Sequence, residues 1–198
     1  GGIIAQNIDE GDALISTRLT DGNMDILLAT RGGKSIRFPE RDARAIGRVG
    51  RGVKGMTLDK GDHVIGLQVV NDNTAATLVT VTENGYGKKT ELGEYRTQSR
   101  GGKGIITIKT TERNGQVVDI KMVDEDSDLM FITDGGKILR TRVGNLSTIG
   151  RNTQGVRLMV LEAGEHIVSV AKLAEKEAEH DPTEAEEDFE EGIEGEED

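Results

Sequence analysis

The chain is built on an internal repeat. Leu27-Leu28-Ala29-Thr30-Arg31-Gly32-Gly33-Lys34 is matched by Val79-Thr80-Val81-Thr82-Glu83-Asn84-Gly85-Tyr86, and again by Met130-Phe131-Ile132-Thr133-Asp134-Gly135-Gly136-Lys137. The aligned glycines, Gly33, Gly85 and Gly136, lie 52 and 51 residues apart. A basic glycine loop follows at a fixed phase: Arg51-Gly52-Val53-Lys54-Gly55-Met56, then Gln98-Ser99-Arg100-Gly101-Gly102-Lys103-Gly104, then Gln154-Gly155-Val156-Arg157-Leu158. An acidic turn closes each unit: Asp59-Lys60-Gly61-Asp62-His63-Val64, Glu112-Arg113-Asn114-Gly115-Gln116-Val117 and Glu162-Ala163-Gly164-Glu165-His166-Ile167. The chain opens on Gly2-Ile3-Ile4 and Asp9-Glu10-Gly11-Asp12-Ala13-Leu14, which read as the second half of a further unit. A period of about 51 residues points to stacked units of a propeller or solenoid, each burying its apolar face on the next.

The unit itself is a set of strands. Ile26 to Thr30, Thr77 to Val81 and Leu129 to Thr133 are short apolar runs, each closed by a turn containing glycine. Ser35 to Phe38, Gly87 to Thr90 and Ile138 to Thr141 follow those turns and complete hairpins, with Gly33, Gly85 and Gly136 as structural turn residues at positive φ. Val64 to Val70, Val117 to Val123 and Ile167 to Leu173 close the units, and Met56 to Leu58 reads as a further short strand. Ala43 to Ile46 and Val143 to Leu146 read as short helical turns. No sustained helical period precedes residue 172. The expected fold is all-β, with repeated four-stranded blades at residues 1–25 (partial), 26–75, 76–127 and 128–173.

Charge separates the chain into two parts. Residues 174–198 hold 14 acids and one base, and they read as a disordered acidic tail. Residues 1–173 hold 24 bases and 22 acids, so the body is nearly neutral despite an overall charge of −11. Within it, windows 31–54, 88–103 and 137–157 contain 18 bases and four acids. Bases confined to one phase of a circular repeat fall on one rim, an electrostatic footprint for a polyanion. The candidate contacts to that polyanion are Arg31, Lys34, Arg37, Arg48, Arg51, Lys54, Lys88, Lys89, Arg96, Arg100, Lys103, Lys137, Arg140, Arg142, Arg151 and Arg157. The absence of cysteine excludes disulfides and thiolate metal sites and fits a reducing compartment. No apolar run reaches the roughly 20 residues of a membrane helix.

Several motif fragments lack their context. Gly50 to Gly55 matches G-x-G-x-x-G, but a strand and turn follow it rather than a helix. Asp124, Asp126 and Asp128 open like a calcium loop, but Leu129 stands at the obligatory glycine position. His63 and His166 share a turn phase without a ligand set, and no constellation suggests catalysis. The reading is therefore of no catalytic residues, no metal site and no cofactor.

Three phrases carry a family resemblance: Asn84 to Thr90, Ile106 to Gly115 and Ile132 to Val143. Residues 2–173 resemble the C-terminal domain of the DNA gyrase A subunit. The resemblance implies a β-pinwheel, a disc whose blades exchange a strand and whose basic rim wraps duplex DNA without sequence preference. It implies, as partners in an A2B2 assembly, the remainder of the gyrase A subunit together with the B subunit. ATP and Mg2+ are then used on other domains, in the bacterial cytoplasm at the nucleoid. Gln98 to Gly104 resembles the family's Q-R-R-G-G-x-G box, with Ser99 at the second position and in a later repeat, which marks it as a degenerate copy. Three units and a fraction imply the C-terminal blades of a larger disc. The alternatives are the related domain of the topoisomerase IV A subunit, or a propeller-type protein scaffold.

Overall fold

Each blade begins with a hairpin that only glycine turns without strain. Gly33, Gly85 and Gly136 have φ of +86°, +80° and +81°, and their N–H groups bond to Thr30, Thr82 and Thr133 carbonyls. The computed structural model describes residues 2–71 and 76–173; the acidic tail expected over residues 174–198 lies outside the described residues. The hairpins are β1 (Asp25–Thr30) with β2 (Lys34–Pro39), β4 (Thr77–Thr82) with β5 (Tyr86–Glu91), and β8 (Asp128–Thr133) with β9 (Ile138–Arg142). A long strand flanks each on the other side: β3 (Val64–Val70), β7 (Val117–Val123) and β11 (Ile167–Lys172).

The fourth strand comes from the following repeat. β6 (Ile105–Ile106) pairs antiparallel with β2, and β10 (Val156–Arg157) pairs with β5. The sheet orders are therefore β3-β1-β2-β6, β7-β4-β5-β10 and β11-β8-β9. The first two blades have four strands, and the third has three among the described residues. The turn glycines guide this exchange. The Gly33 carbonyl accepts from Thr107 and Ile108 N–H at 2.8 and 3.2 Å, and the Gly85 carbonyl accepts from Leu158 and Met159 at 2.8 and 3.1 Å. Each exchanged strand thus enters beside the turn of the preceding hairpin.

Burial follows the alternation of side chains along a strand. Leu27 and Ala29 of β1 meet Leu78 of β4 in one inter-blade core, with Tyr95, Ile108 and Ile120. Val79 and Val81 point the other way and pack on Leu129 and Phe131 of β8, with Met159 and Ile167. β4 is buried along its whole length because both its faces are covered, whereas β8 alternates buried and half-buried residues. Met56 anchors a smaller cluster with Ile36 and Phe38 on the far face of the first blade. Ile108 and Met159 occupy the same phase as Met56, so one apolar residue per repeat pins the segment after the basic loop.

Two sequence expectations change. A 3-10 turn follows the second strand of each hairpin, at Glu40–Asp42, Leu92–Glu94 and Val143–Asn145; the first replaces the turn expected at Ala43 to Ile46, which is not helical. Met56 to Leu58 is not a strand, because the Thr57 N–H bonds to the Gly102 carbonyl at 2.8 Å rather than to a ladder. Tyr86 opens β5, and Tyr95, which closes the 3-10 turn Leu92–Glu94, is core, its hydroxyl 2.8 Å from Thr107 Oγ1. No helix among the described residues is long and apolar enough to cross a membrane.

Candidate nucleic-acid interface

The basic loops are held against one edge of each sheet. Residues 95–106 form a strap along β2: Gln98 N–H bonds to the Arg37 carbonyl at 2.7 Å, Thr97 bridges Arg37, and Ile105 pairs Ser35. Residues 147–157 run along β5 in the same way, with Ile149 N–H on the Lys89 carbonyl at 2.8 Å and Val156 opposite Gly87. On the other edge, β7 packs against both β3 and β11. The long strands thus gather on one side and the straps stand on the other. Exposed bases of a strap therefore stand along the β2 edge of the preceding repeat.

The candidates fall into distinct groups. Arg48, Lys54, Arg96, Lys103 and Arg142 are exposed and make no ion pair among the described residues. Six others are held in partly exposed pairs: Arg31 with Glu83 at 3.3 Å, Lys34 with Asp59 at 2.6 Å, Arg51 with Asp9 at 3.3 Å, Lys137 with Glu162 at 2.8 Å, Arg140 with Asp128, and Arg151 with Glu94 at 3.7 Å. Such pairs contribute at most about 1 kcal/mol, so a phosphate can compete for the cation. Arg37 is more enclosed, bonding Asp25 at 2.7 Å. Arg100 is spent partly on structure, donating to the carbonyls of Asp42 at 2.9 Å and Lys54 at 2.5 Å. With Gly101 N–H on the Gly55 carbonyl and Thr57 Oγ1 on the Gly101 carbonyl, the box Gln98 to Gly104 staples one strap to the strap before it.

Lys88 and Lys89 are corrected. Both are buried, at 0% and 3% exposure, and cannot present an ammonium to a phosphate. Lys88 Nζ donates to the carbonyls of Gly150 and Arg151 and to Thr153 Oγ1 at 3.1 Å, locking the strap to β5. Burial pushes the Lys88 ammonium down to about 8, aided by Arg151 and opposed by Glu94. Lys89 Nζ meets both Glu125 oxygens, at 2.7 and 2.8 Å. Charge patterning could not separate these two from the rim: Lys88 stands where the other repeats have Ile36 and Leu139, and Lys89 where they have Arg37 and Arg140.

Arg157 belongs to a cluster that the sequence reading missed in part. Arg157 Nη2 lies 3.1 Å from the Tyr86 hydroxyl, and the guanidinium carbons of Arg113 and Arg157 lie 4.8 and 5.6 Å from the ring centroid. Hydrogen bonding from Arg157 and then Arg113 holds the Tyr86 phenol below its usual range. Arg113 sat outside the basic windows; its signal is an extra residue in the middle repeat's turn. That turn closes from Gly115 N–H to the Thr111 carbonyl, four residues, whereas Asp62 to Asp59 and Glu165 to Glu162 span three.

The rejected motifs also have plain structural roles. The Asp124 carbonyl accepts from Ser127 N–H at 3.1 Å in a tight turn, and Asp128 pairs with Arg140. The His63 carbonyl accepts from Arg31 N–H, and His166 N–H bonds to Asp134.

Comparison with known proteins places this arrangement. A family model described as "DNA gyrase C-terminal domain, beta-propeller" matches residues 1–21, 25–71, 76–124 and 127–174. The DNA gyrase A subunit of Staphylococcus epidermidis is 49% identical over 175 residues, 88% of this chain and 20% of that protein. Its counterpart in Haloquadratum walsbyi is 48% identical over 169 residues, 85% of this chain and 20% of its own length. The chain thus spans about a fifth of the curated relatives it matches. Among solved structures, a DNA gyrase A C-terminal domain superposes with TM-score 0.80 at 29% identity, covering 87% of this chain and 58% of that one. The C-terminal domain of a DNA topoisomerase IV shares the fold, with TM-score 0.81 at 24% identity, covering 85% of this chain and 52% of that one.

Proposed function

The chain belongs to the DNA gyrase C-terminal domain family, and from that premise we propose that it is a non-catalytic module that binds and wraps duplex DNA. In the whole enzyme it supports ATP-dependent negative supercoiling. The observation that carries this reading is the strap edge. Exposed, unpaired Arg48, Lys54, Arg96 and Lys103 lie in two successive basic loops, the second of them pinned along β2, and Arg142 ends β9. Cations spaced blade by blade along a curved edge suit a phosphate backbone, whose charge is continuous and independent of sequence. Asn, Gln and exposed aromatics do not recur at that phase, so nothing there is built to read base edges. The further reading is that the module works with the rest of the gyrase A subunit, and with the B subunit, in an A2B2 assembly at the bacterial nucleoid. ATP and Mg2+ then act on other domains.

The test is an equilibrium titration of the chain with duplexes of unrelated sequence at several salt concentrations. The expected result is similar affinity for each duplex and a log–log salt slope of several units, at about 0.9 per phosphate neutralised. A marked preference among duplexes, or binding indifferent to salt, would refute the reading. A scaffold for a protein partner would leave duplex mobility unchanged at any salt.

A further inference from the structure

The three blades treat one position differently, and the difference creates an uncancelled charge. The residue after each turn glycine is Lys34, Tyr86 or Lys137. In the first and third blades this lysine is neutralised from its own repeat: Lys34 by Asp59 at 2.6 Å, Lys137 by Glu162 at 2.8 Å and Glu165 at 3.0 Å. Asp59 and Glu162 open the turns of their repeats. In the middle blade both partners change at once. Tyr86 replaces the lysine, and the turn opens on Thr111 instead of an acid.

Two arginines take the vacated place. Arg157 arrives on the exchanged strand β10, paired through its backbone with Tyr86. Arg113 arrives on the lengthened turn, whose Glu112 and Arg113 carbonyls accept from Asn84 Nδ2 at 3.1 and 3.3 Å. Both guanidinium groups lie against the same phenol ring, and neither has an ion-pair partner among the described residues. They face an open groove of about 350 Å³. Glu162 and Glu165 also line it, but both are engaged by Lys137. Glu165 further accepts from Thr133 Oγ1 at 2.6 Å. His166 in the wall is tied to Asp134 at 3.4 Å.

We propose that Arg113 and Arg157, splayed on Tyr86, form a single phosphate-binding subsite for the duplex backbone at the hairpin-turn end of the middle blade. The inference rests on the DNA-binding reading and adds a fixed contact where the second strap ends, at the hairpin turn of the middle blade. Stacking on the ring fixes each fork before binding, so less side-chain freedom is lost when a phosphate oxygen is engaged. The middle blade thereby holds the backbone at a defined point, while the exposed, unpaired Lys54, Arg96 and Lys103 act as diffuse charge.

The subsite is tested with the full chain and a mixed-sequence duplex, comparing R113Q, R157Q, R113Q/R157Q and K103Q. Because two arginines serve one phosphate, R113Q lowers the salt slope and R113Q/R157Q brings the total loss to about 0.9, one B-DNA phosphate. K103Q added to either subtracts independently, and R113K restores most of the slope. The Tyr86 ring resonances shift when the duplex is added, while those of buried Tyr95 stay in place. The melting midpoint of each variant is recorded; should R113Q lower it, R157Q carries the comparison. Unchanged affinity and slope in R113Q/R157Q, with K103Q still weakening binding, overturns the subsite and leaves the DNA reading standing. Absence of duplex binding by the unaltered chain overturns both.

Discussion

Gly85 and Gly136 have the same turn geometry but different neighbours, which makes them an internal control for strand exchange. Both have φ near +80°, so an alanine at either site meets the left-handed penalty of about 1–2 kcal/mol. Loss of glycine's freedom in the unfolded chain returns about 0.4–1 kcal/mol. At Gly136 a Cβ meets nothing within 4 Å, and the net cost of Gly136→Ala is about 1 kcal/mol. At Gly85 the Cβ falls 2.5 Å from the Met159 carbonyl oxygen, a backbone atom of the exchanged segment. Relief of that overlap moves the segment away from the Gly85 carbonyl and weakens its bonds from Leu158 and Met159 N–H. Two such bonds are worth about 2 kcal/mol together, so Gly85→Ala costs about 3 kcal/mol. The difference of about 2 kcal/mol corresponds to a separation in melting midpoint of roughly 4–8 °C for a chain of this size. Gly33→Ala belongs with Gly85, since its Cβ lies 2.3 Å from the Ile108 carbonyl. The assay is thermal unfolding of the three variants by far-UV circular dichroism. Equal midpoints for Gly85→Ala and Gly136→Ala would refute the claim that the turn glycine seats the exchanged strand.

Lys88→Met removes the ammonium that holds Gly150, Arg151 and Thr153, and amide exchange in residues 150–153 should accelerate. The folded Lys88 releases its proton near pH 8, below the ordinary lysine range, so the unfolded chain binds more protons above that pH and stability rises from about pH 8 to 10. That rise should vanish in Lys88→Met; a urea midpoint with the same alkaline trend in both proteins would contradict the assignment. Glu165 is held down to about 2 by Glu162 N–H, then Thr133 and Lys137. Its contribution is therefore present above pH 4.5 and lost as pH falls toward 2, and Glu165→Gln should flatten the acid limb of the stability profile over that window. Arg100→Ala should lower the melting midpoint through its lost carbonyl bonds, whereas Lys103→Ala should leave the midpoint unchanged and lower the DNA salt slope by about 1. The converse pattern would reverse their roles.

The repeat made the hairpins, the long strands and the strap phase legible, because strand alternation and turn glycines are local signals. Leu27, Leu78 and Leu129 announce themselves in that way. The exchange of β6 and β10 is not local: Ser35 meets Ile105 across 70 residues, and no composition rule distinguishes that partner from Lys34's own repeat. The site was half legible for the same reason. Bases in a strap read correctly as edge residues, but Lys88 and Lys89 share the charge and differ only in which way β5 turns them. Arg113 was hidden because its placement depends on one extra residue in a turn and on a tyrosine from the preceding hairpin. Charge counts show neither, since both depend on which surfaces meet.

The borrowed fourth strand also sets an order of events during synthesis. The first blade's β2 edge stays open until residues 105–108 have been made, and β5 stays open until residues 156–159 follow. An unfinished β edge offers unpaired backbone groups to any other extended chain. Translation from the N-terminus therefore closes each blade one repeat late, and the emerging chain carries a single vulnerable edge that advances with it. A pause just after a hairpin prolongs that exposure; a pause just after a strap does not.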